Sequence, residues 1–160
     1  MLNNLPDASR VWIFQADRLL TAVEVELCQK TLAGFIPFWA AHGAELYGDF
    51  EVAHNLFLVI GVDESKAPPS GCSIDKMTKA VQELGKNLQV DFLNRLNTAF
   101  DDCSSIRLVG QAEFRQLIRE GKIGAQTIVF NNLVQTKGEL ENKWKTAVEN
   151  SWHKALLLTV

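Results

Sequence analysis

The chain has little of what usually announces a specialised function. It holds three cysteines, Cys28, Cys72 and Cys103, widely spaced and odd in number, which excludes a disulfide-framework fold. Its three histidines and three cysteines form no His-x-x-x-His or Cys-x-x-Cys pattern, so metal-ligand spacing is absent and no metal or other cofactor is implied. Sixteen lysines and arginines are interspersed with 19 acidic residues for a net charge of -3. Without a basic block, the electrostatic footprint of a nucleic-acid binder is missing. The longest apolar stretches, such as LFLVIGV at 56–62, fall well short of the roughly 20 residues that cross a bilayer. The start MLNNLPDASR lacks the charged-then-apolar design of an export signal. Neither nucleic acid nor membrane is therefore an expected partner, and reduced thiols predict a cytoplasmic location.

What the chain does have is apolar periodicity. Hydrophobic residues make up 47% of its 160 positions, enough for a core that needs no staples. VWIFQ (11–15) reads as a buried strand. Thr21 with Glu24 has capping-box spacing, and Val25, Cys28, Leu32, Phe35 and Trp39 follow as one helical stripe. Pro37 should kink or end that helix, with His42 and Gly43 as its C-terminal stop. Two strands are predicted within 46–62, turning at His54-Asn55, and a Pro-rich loop follows from Asp63 to Gly71. A helix is predicted over about 73–84 with Gly85 as its stop, and Asp91 as the cap of a further short one. Strands at 105–109 and 127–130 flank a helix through Phe114, Leu117 and Ile118 that ends at Gly121. A last helix is expected from Thr136 through Trp144 to Val148, and the tail SWHKALLLTV as a final strand or a partner contact. No domain boundary stands out in 1–160. A hairpin among alternating helices predicts an α+β domain with a mixed or antiparallel sheet, helices mainly on one face, and a ferredoxin-like N-terminal half.

Chemistry is concentrated most in Pro-Ser-Gly-Cys-Ser-Ile-Asp (69–75), a flexible loop that delivers Cys72 to a helix start. Free amides and the helix dipole there favour an anion. They can lower a thiol's pKa, making Cys72 a candidate nucleophile, or hold a small anionic ligand together with Ser70, Ser73 and Asp75. Equally, Ser70, Cys72 or Ser73 can simply cap the helix while Asp75 complements its dipole. A nucleophile needs a base, for which His153 is the candidate carried forward. His42 and His54 are explained by a helix end and a turn. Asn131 and Asn132 leave a strand end, where amides either bind polar ligands or make turns. Asp49, Glu51, Asp63, Glu64 and the Asp101-Asp102 pair read as solvated carboxylates.

RVWIFQA (10–16), FWAAHG (38–43), PSGCSID (69–75), TIVFNNLVQT (127–136) and NSWHK (150–154) resemble a small family of uncharacterised bacterial proteins that often carry the automatic label "ABC transporter ATPase". The stretches span nearly the whole length, so the resemblance implies one intact domain, and it assigns no catalytic residue. The label itself fails chemically. A phosphate-binding loop needs Gly-x-x-x-x-Gly-Lys-Ser/Thr, and Gly85-Lys86-Asn87 and Gly121-Lys122-Ile123 lack both the upstream glycine and the hydroxyl. The expected function is a small-ligand-binding or protein-interaction domain, possible as a homodimer through the apolar tail. The alternative is a Cys72-dependent enzyme acting on an acyl or other electrophilic small molecule.

Overall fold

The structure, a computed structural model, describes residues 2–159. It divides into two compact units, Met1–Asn94 with Gln135–Glu139, and Arg95–Val134 with Leu140–Val160. The sequence gives no composition shift at the first crossing, Asn94-Arg95. All described strand pairs are antiparallel, and the α+β class is as expected.

The first unit runs β1 (Arg10–Gln15), α1 (Ala22–Phe35), a short ladder of β2 (Ala40–Ala41) and β3 (Ala44–Glu45), β4 (Gly48–Ala53), β5 (Phe57–Val62) and α2 (Gly71–Leu88). Its sheet order is β1-β5-β4. The near-continuous apolar run thus becomes the central strand, and all six residues of β5 are buried. With β5 antiparallel to both neighbours, β1 and β4 run parallel on either side of it, and α1 lies between them in the chain. That is the split βαβ of a ferredoxin-like layer. The outer edge of β1, where such a layer places its last strand, is filled by a few returning residues. Arg10 and Thr136 form an antiparallel bridge, and the amides of Val11, Lys137 and Gly138 join the carbonyls of Gln135, Ser9 and Asp7, each at 2.9 Å.

Register places Trp12, Ile60 and Phe50 on one face. Trp39 covers that face: it meets Trp12 edge-on at 5.9 Å, and its indole N–H donates to the Ser73 carbonyl at 2.8 Å. Gly48 allows the approach, since a Cβ there would come within 3.2 Å of the Trp39 ring. The helices belong to this face. On the opposite face Leu2 and Leu5 pack over Gly61, where a Cβ would meet their methyl carbons at 2.9 and 2.7 Å.

Local signals set most helix ends. Thr21 caps α1 in a complete capping box with Glu24, and Pro37 falls in the 3-10 turn that follows. His42 and Gly43 do not stop the helix. Both have positive φ (50° and 78°) and form the tight turn between β2 and β3, a geometry that primed hairpin turns require. His54 and Asn55, at 55° and 52°, make the expected second one. Helix α2 runs past the predicted stop at Gly85 to Leu88. Gln89 is its left-handed cap, and the Val90 amide returns to the Gly85 carbonyl at 2.8 Å. Gly85 serves instead as a contact point, because a Cβ there would lie 2.5 Å from the Val90 carbonyl oxygen. The short helix predicted after Asp91 does not form. The Asp91 carboxylate accepts the Leu93 amide at 2.9 Å, a local turn that competes with helix.

The second unit contains β6 (Asn97–Asp102), β7 (Ser105–Gly110), α3 (Gln111–Arg119), β8 (Ile128–Phe130), β9 (Lys145–Ala147) and α5 (Lys154–Leu157), with the division between units falling inside α4 (Lys137–Lys143). Its sheet order is β7-β6-β8-β9. Strand β6 precedes the expected strand at 105–109: Thr98, Ala99 and Phe100 are all buried along it, and Asp101 and Asp102, read from the sequence as solvated carboxylates, continue it to the hairpin. The predicted helix to Val148 ends at Lys143, and residues 145–147 pair with β8. The tail forms α5 rather than a strand, with Leu156 in the same core as Phe100, Phe114 and Val129.

Candidate functional site

The segment 69–75 is built as a cap. Ser70 accepts the Ser73 amide at 3.1 Å, and the Ser73 hydroxyl accepts the Ser70 amide and donates to its carbonyl, both at 2.8 Å. Ser73 is buried, while Cys72 and Asp75 are exposed on the first turns of α2. The histidines of this unit, His42 and His54, belong to turns. His153 lies in the second unit, almost fully buried at 2% exposure. Its ring stacks on Trp152 at 3.9 Å and faces Phe114 at 6.0 Å, and Nδ1 is 2.9 Å from the Ser151 hydroxyl. Burial pushes its pKa down to about 4. The ring is a neutral core element held in a local Ser151 turn.

Asn131 and Asn132 are likewise engaged in structure. The Asn131 carboxamide oxygen accepts the Leu133 amide at 3.3 Å, and that of Asn132 accepts the Trp144 indole N–H at 2.9 Å. These two residues and His153 belong to the second unit, Ser70, Cys72, Ser73 and Asp75 to the first. Within the units they occupy three distinct local settings: a helix cap, a strand-end turn and a buried ring. Among the described residues no group of three or more His, Cys, Asp or Glu could hold a metal ion.

The structure brings forward a different surface. Helix α1 buries only Cys28 and Leu32, and burial raises the Cys28 thiol to about 11, with the Glu24 charge adding to the shift. On the opposite side Val23 is 75% exposed and Leu27 41%, and Phe38 just beyond the helix is 87% exposed. Lys30 and Glu26 are exposed beside them. The helix is firmly seated. Arg18 donates to both Glu24 carboxylate oxygens at 2.9 and 2.8 Å and to the Leu88 carbonyl at the end of α2. The Arg18 bonds, then the Thr21 amide, draw the Glu24 pKa down to about 2. An exposed apolar row on a fixed helix is thus presented to solvent.

Beside it, Gln29, Lys30 and Ala33 of α1 and Phe50, Glu51 and Val52 of β4 enclose a groove of about 460 Å³. Strand β4 is a sheet edge. The Asp63 amide bonds to the Tyr47 carbonyl, so in antiparallel alternation the backbone groups of Phe50 and Val52 point away from β5. The Phe50 amide is already covered by the Asp49 carboxylate at 2.9 Å, a self-capping that blunts the edge. The sequence signal for this surface was Val23 and Leu27, apolar residues standing outside the core stripe of the same helix.

Comparisons with protein-family models, curated proteins and solved structures find no match for this chain. Among the described residues no helix is long and apolar enough to cross a membrane.

Proposed function

We propose that the protein is a cytoplasmic interaction domain whose contact surface is the solvent face of α1 with the groove beside it. The observation that carries this reading is the exposure of Val23 and Leu27 on one side of a helix that buries only two residues on the other, with Phe38 exposed just beyond its end. Fully covering an exposed Val, Leu or Phe side chain contributes roughly 1.5–3 kcal/mol, so the apolar area left in water at Val23, Phe38 and, in smaller part, Leu27 forgoes stability that a partner would recover. Apolar side chains rimmed by Glu26, Gln29 and Lys30 have the make-up of a docking patch. The three free cysteines fit a reducing compartment.

A photo-crosslinking side chain placed at Val23 or Phe38, in cells expressing the full chain, tests the reading. A discrete adduct from these positions, absent when the same group replaces the exposed Glu83 of α2, is expected. Equal labelling from all three positions would refute it.

The second reading, a Cys72-dependent enzyme, is favoured by one observation, the exposure of Cys72 at the start of α2. The cap formed by Ser70 and Ser73 accounts for the rest of that segment, and this reading supplies no base for the thiol. Alkylation of Cys72 at least tenfold faster than that of the exposed Cys103 would restore it.

A further inference from the structure

We infer that the partner on α1 is a second copy of this chain, the two α1 helices packing antiparallel about a two-fold axis. The inference rests on the reading of α1 as the contact surface and adds what occupies it. Val23, Leu27, Lys30 and Gly34 follow one another at spacings of four, three and four, which aligns them in one row along the helix. All four are exposed. An axis through the middle of the row sets Val23 opposite Gly34 of the partner subunit and Leu27 opposite Lys30 of the partner subunit. The first pairing places a branched side chain over a position where a Cβ would meet nothing within 4 Å. In the second, Leu27 lies along the methylene stem of a lysine, whose ammonium stays wet.

Charge decides the direction. Glu26 flanks the row one turn before Lys30, and among the described residues neither has an ion-pair partner. Antiparallel packing brings each Glu26 alongside Lys30 of the partner subunit, twice per dimer by symmetry. Parallel packing sets Lys30, a member of the row, against its own copy and puts the two Glu26 side chains on opposite flanks of the seam. The row is therefore complementary to itself in one orientation only, as a two-fold interface requires. The free edge of β4 does not offer this. Antiparallel self-pairing centred on Phe50 sets Asp49 against Glu51, and centring on Glu51 sets that residue against itself, both destabilising.

A 14-residue helix is about 21 Å long, which places the contact at the small end of specific interfaces. Association is accordingly weak, with a dissociation constant on the order of micromolar or above.

Sedimentation velocity of the full chain over a concentration series tests this. Wild type should move from monomer to dimer as concentration rises. Lys30→Glu and Glu26→Lys should each raise the dissociation constant at least tenfold, and an equimolar mixture of the two variants should recover association. Both side chains are exposed, so melting curves should stay unchanged. A wild type that remains monomeric up to its solubility limit would overturn the inference, as would variants that associate like wild type or a mixture that fails to recover. If that happens while crosslinking at Val23 yields an adduct with a different protein, the second copy is wrong and the interaction surface stands. If crosslinking also fails, both fall.

Discussion

The amide of Val11 donates to the carbonyl of Gln135 at 2.9 Å, and this bond closes the ferredoxin-like sheet with chain that returns after most of the second unit. The neighbouring bond from Lys137 to Ser9 makes the closure testable. Lys137 is the first residue of α4, where proline suits the helix. Lys137→Pro therefore removes the bond to Ser9 with little harm to α4, while Lys137→Ala keeps that backbone bond and loses side-chain interactions, the ion pair with Asp7 among them, as the proline variant also does. Chemical denaturation should find the proline variant about 1 kcal/mol less stable than the alanine one. Equal stabilities would mean that the returning segment contributes nothing.

Two glycines should respond unequally to alanine. At Gly85 the added methyl meets a backbone oxygen at 2.5 Å, whereas at Gly61 it meets the ends of two leucine side chains at 2.7 and 2.9 Å. Side-chain ends can rotate away, whereas the Val90 backbone is tied to the same turn by its amide's bond to the Gly85 carbonyl. Although alanine favours helix over glycine, Gly85→Ala should destabilise by about 1–3 kcal/mol and by more than Gly61→Ala. The reverse order in urea titrations would contradict the packing at the α2 terminus.

The cap at α2 predicts a structural effect at Ser70. Ser70→Ala should cost about 1 kcal/mol and leave crosslinking from Val23 unchanged. A lost adduct with unchanged stability would move the functional site to 69–75.

Thiol chemistry separates the three cysteines by burial. Under native conditions a small disulfide reagent should titrate Cys72 and Cys103, and reach Cys28 only on unfolding, since that thiol is buried with its pKa raised to about 11. Three fast thiols would show that α1 opens readily.

The buried ring of His153 makes stability depend on pH. Burial holds its folded-state pKa at about 4, below the ordinary imidazole value of about 6.5, so the unfolded chain binds the proton more readily. Its neutral form contributes about 3 kcal/mol of stability above roughly pH 6.5, lost as pH falls towards 4, with about 2 kcal/mol gone by pH 5. Urea midpoints should fall between pH 7 and pH 5 for wild type, and His153→Gln should remove most of that difference. A wild-type midpoint independent of pH across this window would contradict the buried neutral ring.

The first unit is the more legible from sequence, because local signals there agree with tertiary packing. The continuous apolar run became β5, Thr21 and Glu24 formed their box, and His54-Asn55 made its turn. Where local signals competed, the sequence misled. Gly85 looks like a stop but is a close-contact position inside α2. Residues 145–147 continue a helical pattern through Trp144 and Val148, yet pairing with β8 overrides it. The polar residues chosen for chemistry, Ser70, Ser73, Asn131, Asn132 and His153, have partners within the fold that only three-dimensional proximity reveals. The α1 surface was missed for a different reason. Periodicity identifies the buried stripe of a helix, and apolar residues off that stripe pass as incidental until their exposure is measured.

The most direct test of α1 as the interaction surface is the double substitution Val23→Asp with Leu27→Asp, followed by sedimentation velocity and thermal melting. The account predicts a monomer at every concentration, with a melting curve like that of dilute wild type, because both side chains face water in the single chain. Association as strong as that of wild type would show that this face of α1 is not the contact surface, and a melting temperature that collapses would show that these residues serve the fold.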